Sequence, residues 1–141
     1  MRYVIIGNSA AGLAAAETIR KNDLTGEVII ISDESGPAYS RCLATYYLAG
    51  RLTRDQLFIK DRDFYSKNNF NLKHGLVTGV ITKTNQLELS TGEIVDYDRL
   101  LIASGSEPVI PQIPGTEGEG IYPLRTLADL DGITGTLDRV K

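Results

Sequence analysis

An α/β fold, a parallel sheet with a small antiparallel β-meander beside it, is predicted for this chain by three observations. The first is a strand–turn–helix order at the N-terminus. Tyr3-Val4-Ile5-Ile6 favours a buried parallel strand, runs into Gly7-Asn8-Ser9-Ala10-Ala11-Gly12, and opens a helix from Leu13 to about Arg20. The second is another apolar run, Glu27-Val28-Ile29-Ile30-Ile31-Ser32, with Asp33 and Glu34 at its end. The third is a change of texture from Phe70 onward, where short β-favouring segments alternate with turn residues.

The first of these sets the expected chemistry. Strand, glycine turn and helix in that order are the context of a dinucleotide-binding loop, and the sequence reads as a Rossmann-like unit. Gly7 makes the tight turn, and Gly12 lets the helix pack closely on the strand. The free N–H groups and positive end of the helix then face a pyrophosphate. In the G-x-G-x-x-G pattern Ser9 holds the middle glycine position. Serine is small and brings a hydroxyl donor, so a modified site is expected rather than a lost one. Asp33 or Glu34 places a carboxylate about 20 residues past the last glycine, where a ribose hydroxyl is held. The competing structural reading is an ordinary β-α-β unit with a solvated acidic strand end.

Ser35-Gly36-Pro37-Ala38 is a turn cluster. Tyr39-Ser40-Arg41-Cys42-Leu43 leads into a helix from Leu43 to about Leu48, closed by Gly50, and a second helix is expected near Thr53 or Arg54 with Leu57 and Phe58 as anchors. Asp61 is placed to cap a third, at about Arg62–Lys67, with Phe64 and Tyr65 as apolar surface. Asn71–Lys73, Val77–Thr82, Gln86–Ser90 and Glu93–Asp96 read as the meander, with turns at Thr84-Asn85 and Thr91-Gly92. Asp98 to Ala103 reads as another buried strand, stopped by Ser104-Gly105-Ser106 and followed by a proline-punctuated exit to Gly115. Thr126 to about Leu137 is a surface helix, with Thr126 and Asp129 in capping-box spacing. The expected division is a dinucleotide-binding domain over 1–115 and a linker with a helix over 116–141.

Composition narrows the class. The 141 residues suffice for one domain with a sizeable core, and 42% hydrophobic with 23% charged content is that of a globular protein. A net charge of −3 gives no electrostatic attraction to nucleic acid or anionic membrane. No apolar run approaches the roughly 18 residues of a membrane span. The N-terminal apolar run is short and belongs to the first strand, so no signal peptide is expected. A single cysteine excludes an internal disulfide, a dithiol mechanism and a cysteine-rich metal site, and a reducing, cytoplasmic setting is expected. His74, the one histidine, has no partner set for a metal or a triad and reads as structural.

Four landmarks together resemble a known family: the Gly7–Gly12 loop, Tyr39-Ser40-Arg41, the meander, and Ala103-Ser104-Gly105-Ser106-Glu107-Pro108. The last is similar to an A-T-G-x-x-P signature with serine for threonine. The chain resembles the first part of the FAD/NAD(P)H-dependent pyridine nucleotide-disulfide oxidoreductases. Pro37-Ala38-Tyr39-Ser40-Arg41-Cys42-Leu43 and Leu124-Arg125-Thr126-Leu127 are most similar to the nitrite reductase large subunit and rubredoxin reductase branch. The resemblance implies an FAD-binding domain, incomplete relative to full-length members, with FAD bound extended. Gly7, Ser9, Ala10, Ala11 and Gly12 would line the pyrophosphate and Asp33 or Glu34 would hold the ribose. Val77 would offer backbone groups to the adenine. Ala103, Ser104 and Gly105 would approach the cofactor, and Arg41 would lie near the flavin, where its charge stabilises a reduced ring; its structural alternative is a surface salt bridge. Cys42 is a candidate catalytic residue. A single cysteine in this region is the redox centre of related NADH oxidases, peroxidases and coenzyme A disulfide reductases, and neighbouring Arg41 would favour its thiolate. Against this, its flanking residues resemble relatives that use no cysteine there, and a free cysteine is often simply buried.

Relatives carry a second glycine-rich loop for NAD(P)H and a late segment that returns to complete the FAD site; neither is expected here. The chain therefore reads as part of a longer enzyme that passes electrons from NAD(P)H through FAD to a redox protein or nitrite-type acceptor. Uncovered apolar sheet surface is expected to favour a homodimer or weak FAD retention. The alternatives are a non-catalytic module that senses FAD or NAD(H), and a Cys42-based oxidase, peroxidase or disulfide reductase.

Overall fold

A computed structural model of the chain describes residues 1–61, 63–137 and 139. It divides into two compact units, one of Met1–Tyr39 with Ile59–Gly105, the other of Ser40–Phe58 with Ser106–Lys141.

The first unit is built on four parallel strands: β1 (Arg2–Ile6), β2 (Glu27–Ser32), β3 (Phe70–His74) and β7 (Arg99–Ile102), in the order β3-β2-β1-β7. Strand alternation decides what each face meets. Ile5, Val28 and Ile30 point to one face and pack with Leu13 and Ala16 of α1 (Ala10–Asn22), joined by Tyr65 and Phe70. Val4, Ile29 and Ile31 point to the other, against Leu87, Leu89 and Val95. Those three come from the antiparallel sheet of β4 (Val77–Ile81), β5 (Gln86–Leu89) and β6 (Ile94–Asp96). β2 is thus covered on both faces, which is why its sequence is a continuous apolar run. Each such side chain contributes about 1.5–3 kcal/mol on burial.

Two sequence expectations are corrected in this unit. The segment around Asn71–Lys73 is not part of the meander. It is β3, paired in parallel with β2 from Val28↔Phe70 to Ser32↔His74. At the sheet edge only one of its faces is well covered, so Phe70-Asn71-Leu72-Lys73 alternates as a meander strand does. The run 98–103 is not a buried strand either: β7 lies at the opposite edge, with Leu101 39% and Ile102 61% exposed. α1 is also longer than expected, starting at Ala10 because the loop residues themselves are helical. α3 (Phe64–Lys67) is the short helix expected after Asp61. Arg62, included in that expected span, lies outside the described residues.

In the second unit the expected helix from Leu43 is a 3-10 turn, Arg41–Leu43, continued by α2 (Ala44–Leu48). The one expected near Thr53 is a 3-10 turn over Arg54–Leu57, whose capping box joins Thr53 and Gln56. α4 (Leu127–Leu137) packs on α2 and buries Leu130. Its N-terminus uses the expected spacing: Asp129 Oδ2 accepts from the Arg125 and Thr126 amides at 2.9 and 2.7 Å, and the Asp129 amide donates to Thr126 Oγ1 at 3.1 Å. A guanidinium–carboxylate pair joins Arg54 to Asp131 on α4.

Candidate dinucleotide site

The candidate site forms where β1, β2 and β7 end together. The Gly7 amide donates to the Ile31 carbonyl at 2.8 Å, and the Ala103 amide donates to the Ile6 carbonyl at 2.7 Å. The glycine loop is therefore stitched to the strand on either side. Gly7 has φ +115°, and a Cβ there would lie 2.1 Å from the Ala103 carbonyl oxygen and 3.2 Å from the Ser104 nitrogen. On Gly12 a Cβ would lie 2.0 Å from the Gly7 carbonyl oxygen. The two glycines are thus required by backbone contact, one for the turn and one for helix–loop packing.

Ser9 is the N-cap of α1, in extended conformation, and its side chain does not cap the helix. The first helical bond runs from the Leu13 amide to the Ser9 carbonyl at 2.9 Å, so the amides of Ala10, Ala11 and Gly12 have no acceptor within the helix. No acidic residue occupies this first turn, while Arg20 and Lys21 occupy the last. The arrangement offers amide donors, a positive dipole end and a hydroxyl that is not used as a helix cap. These residues fit an anionic diphosphate: the first-turn donors have no acceptor within the helix, and the glycines keep the loop low enough for close approach.

The two acids at the end of β2 differ in their surroundings. Glu34 accepts from the Tyr39 hydroxyl at 2.6 Å, and its amide donates to Ser32 Oγ at 3.2 Å. At Asp33 the contact is to the backbone, where the carbonyl lies 3.1 Å from His74 Nε2. The Gly75 amide donates to the Ser32 carbonyl at 2.8 Å, which brings the start of β4 and Val77 to this strand end. Val77 is half-buried against Leu87 and Leu89. Gly105, with φ +74°, turns the chain just past β7.

Gly7, Ser9, Ala10, Ala11, Gly12, Asp33, Glu34, Val77, Ala103, Ser104 and Gly105 thus share one unit and one end of its sheet. Arg41 and Cys42 belong to the other unit. There the Arg41 guanidinium donates to the Arg125 carbonyl at 2.6 Å, and Cys42 is exposed. Among the described residues no group of histidine, cysteine and carboxylate side chains is arranged to hold a metal ion, and no helix is long and apolar enough to cross a membrane.

Sequence reasoning passed over two polar contributors. His74, read as structural, touches the acid-bearing turn. Tyr65, read as packing, carries a hydroxyl hydrogen-bonded to the Asn8 side chain and the Ala38 amide. A tyrosine rather than a phenylalanine facing the core was the available signal, since a buried hydroxyl needs partners.

Comparison with known proteins gives a consistent picture. The family described as pyridine nucleotide-disulphide oxidoreductase matches residues 1–140. The chain is 30% identical to the NADH-dependent phenylglyoxylate dehydrogenase subunit epsilon of Aromatoleum evansii, over 99% of this chain and 34% of that protein. It is 31% identical to the NAD(P)H nitrite reductase of Bacillus subtilis (strain 168), over 92% of this chain and 16% of that one. The crystal structure of a covalent putidaredoxin reductase–putidaredoxin complex superposes with a TM-score of 0.86 at 29% identity, covering 96% of this chain and 34% of the other. The chain spans about a third or less of the length of these relatives.

Proposed function

We propose, from the premise that the chain belongs to the pyridine nucleotide-disulphide oxidoreductase family, that it is the FAD-binding portion of an NAD(P)H-dependent flavoprotein oxidoreductase. The whole enzyme would pass electrons from NAD(P)H through FAD to a redox protein or a nitrite-type acceptor. Members of the family bind FAD and NAD(P)H. The observation that carries the proposal for this chain is the glycine cradle. Two backbone contacts exclude any Cβ at Gly7 and Gly12, and the first-turn amides of α1 have no acceptor within the helix.

FAD, when bound, supplies the two-electron chemistry that links a nicotinamide to a downstream acceptor. The residues of this chain bind and orient it. In this reading the amides of Ala10, Ala11 and Gly12 and the Ser9 hydroxyl hold the diphosphate, with Gly7 keeping the loop close. Asp33 or Glu34 accepts from the ribose hydroxyls. The backbone at Val77 meets the adenine, and Ala103, Ser104 and Gly105 line the route toward the ring. Arg41, carried by the other unit, would supply the fixed positive charge that favours a reduced, anionic ring. A redox-protein acceptor is favoured by the putidaredoxin complex formed by one structural relative.

An FAD titration of the chain, followed through the flavin absorbance bands and by calorimetry, tests the proposal. Saturable binding weakened by Gly12→Val or Asp33→Ala is the expected result. Binding of NAD(H) without FAD would instead favour a nucleotide-sensing module. If neither binds, the proposal fails for this chain alone.

A further inference from the structure

The glycine loop holds a side chain that the cradle does not use. Asn8 lies between Gly7 and Ser9, and its amide group faces away into a polar network. Its Oδ1 accepts from the Tyr65 hydroxyl at 2.7 Å, and its Nδ2 donates to the Gly36 carbonyl at 3.2 Å. The Tyr65 hydroxyl also accepts from the Ala38 amide at 2.9 Å. Ala38 and Tyr65 are buried, at 1% and 8% exposure. Tyr65 thereby spends its one proton on Asn8 and a lone pair on Ala38.

The network joins three segments that are distant in sequence: the diphosphate loop, the turn 33–38 that carries the two acids, and α3. Asn8 and Gly36 are 28 residues apart. The bridge needs a side chain that accepts and donates at once, and the asparagine carboxamide does so without charge through two separate atoms, Oδ1 toward Tyr65 and Nδ2 toward Gly36. An aspartate would add a negative charge beside the phosphates.

We propose that Asn8 is a positioning residue that clamps the glycine loop to the acid-bearing turn. The phosphate and ribose halves of the site are then held in one fixed spacing before a nucleotide arrives. The inference rests on the FAD-binding reading for its ligand and on the three hydrogen bonds for its geometry. Fixing both halves beforehand removes ordering that binding would otherwise have to impose.

Asn8→Ala is the test, because Tyr65 keeps its bond to the buried Ala38 amide in that variant. Two measurements on the 141-residue chain separate the outcomes. Backbone amide order parameters for Ser35, Gly36 and Ala38 are expected to fall when Asn8 is replaced, with no ligand present. By calorimetry, ADP affinity is expected to fall about tenfold, and adenosine affinity by much less, since adenosine engages only the acid-bearing half. Tyr65→Phe is expected to weaken ADP as well, and the double variant to be little worse than either single one. A merely structural role would lower both affinities by the same factor and leave the ADP-to-adenosine ratio unchanged. Unchanged order parameters, or an unchanged ratio, would overturn the clamp while leaving the FAD site standing. A wild-type chain that binds neither FAD nor ADP would overturn the FAD reading, and the clamp's ligand role with it.

Discussion

Gly12 meets Gly7 through backbone alone: a Cβ on the first would lie 2.0 Å from the carbonyl oxygen of the second. No rotamer change relieves that contact, because both atoms are fixed by the main chain. Gly12→Ala must therefore push α1 away from β1 and open the cradle. We expect a loss of about 2–3 kcal/mol in stability, of the size seen for overpacking, and at least a tenfold loss of FAD affinity, since the amides move with the helix. Chemical denaturation and an FAD titration of the same variant check both. An alanine variant that unfolds and binds like wild type would show that the helix tolerates the shift.

Arg20, near the far end of α1, has the opposite role of holding a turn by donating to it. Its guanidinium bonds the carbonyls of Asn68, Asp23, Gly26 and Asn69 at 2.8, 3.0, 2.9 and 3.1 Å, and it lies 5.6 Å from the centroid of the Phe70 ring. Lysine has neither the planar fork nor the reach to satisfy these acceptors together. Arg20→Lys is expected to cost roughly 2–3 kcal/mol in urea denaturation, because hydrogen bonds from a charged donor are among the stronger ones. A loss below about 0.5 kcal/mol, ordinary for surface changes, would show that water replaces the fork.

These cases show what could be read in advance. The glycine loop, β2 and the acids at its end were legible because each is encoded locally, by residue type and spacing. The capping of α4 by Thr126 and Asp129 was legible for the same reason. Sheet membership was not. β3 and the meander strands share an alternating pattern, and only the pairing of Phe70 with Val28 separates them. β7 has the apolar composition of a buried strand, yet its edge position leaves Ile102 exposed, and edge position depends on the whole sheet order. Asn8, Tyr65 and Arg20 were missed because each has at least one partner tens of residues away, Gly36 for Asn8, Ala38 for Tyr65 and Asn68 for Arg20. No local pattern announces such a contact.

Acid should loosen the turn between α1 and β2. Asp23 Oδ1 accepts from the amides of Gly26 and Thr25 at 2.7 and 3.1 Å, and Oδ2 accepts from the Tyr3 hydroxyl at 3.1 Å. The Gly26 and Thr25 amides hold the carboxyl below its ordinary value of 3.8 in the folded chain. A lowered folded value means stabilisation that is fully present above the ordinary value and is lost as pH falls through the folded one. Thermal melts from pH 6 down to about pH 2 should therefore show wild type converging on Asp23→Ala as acid protonates the carboxylate. A gap between the two that stays constant over that range would mean that the turn does not depend on the charge.

The exposed edge of the parallel sheet leads to the last expectation. β7 pairs with β1 on one side, and among the described residues no strand covers its other side. Leu101 and Ile102 add apolar side chains to that open edge, at 39% and 61% exposure. An uncovered strand with apolar residues is a template for association, and natural edges are commonly blunted by lysine. Sedimentation velocity of the isolated chain is expected to show concentration-dependent self-association, and Ile102→Lys should shift it toward monomer without lowering the melting temperature. A wild-type chain that stays monomeric at high concentration and retains stoichiometric FAD would contradict this. It would mean that the edge is already blunted by its twist and by its charged neighbour Arg99.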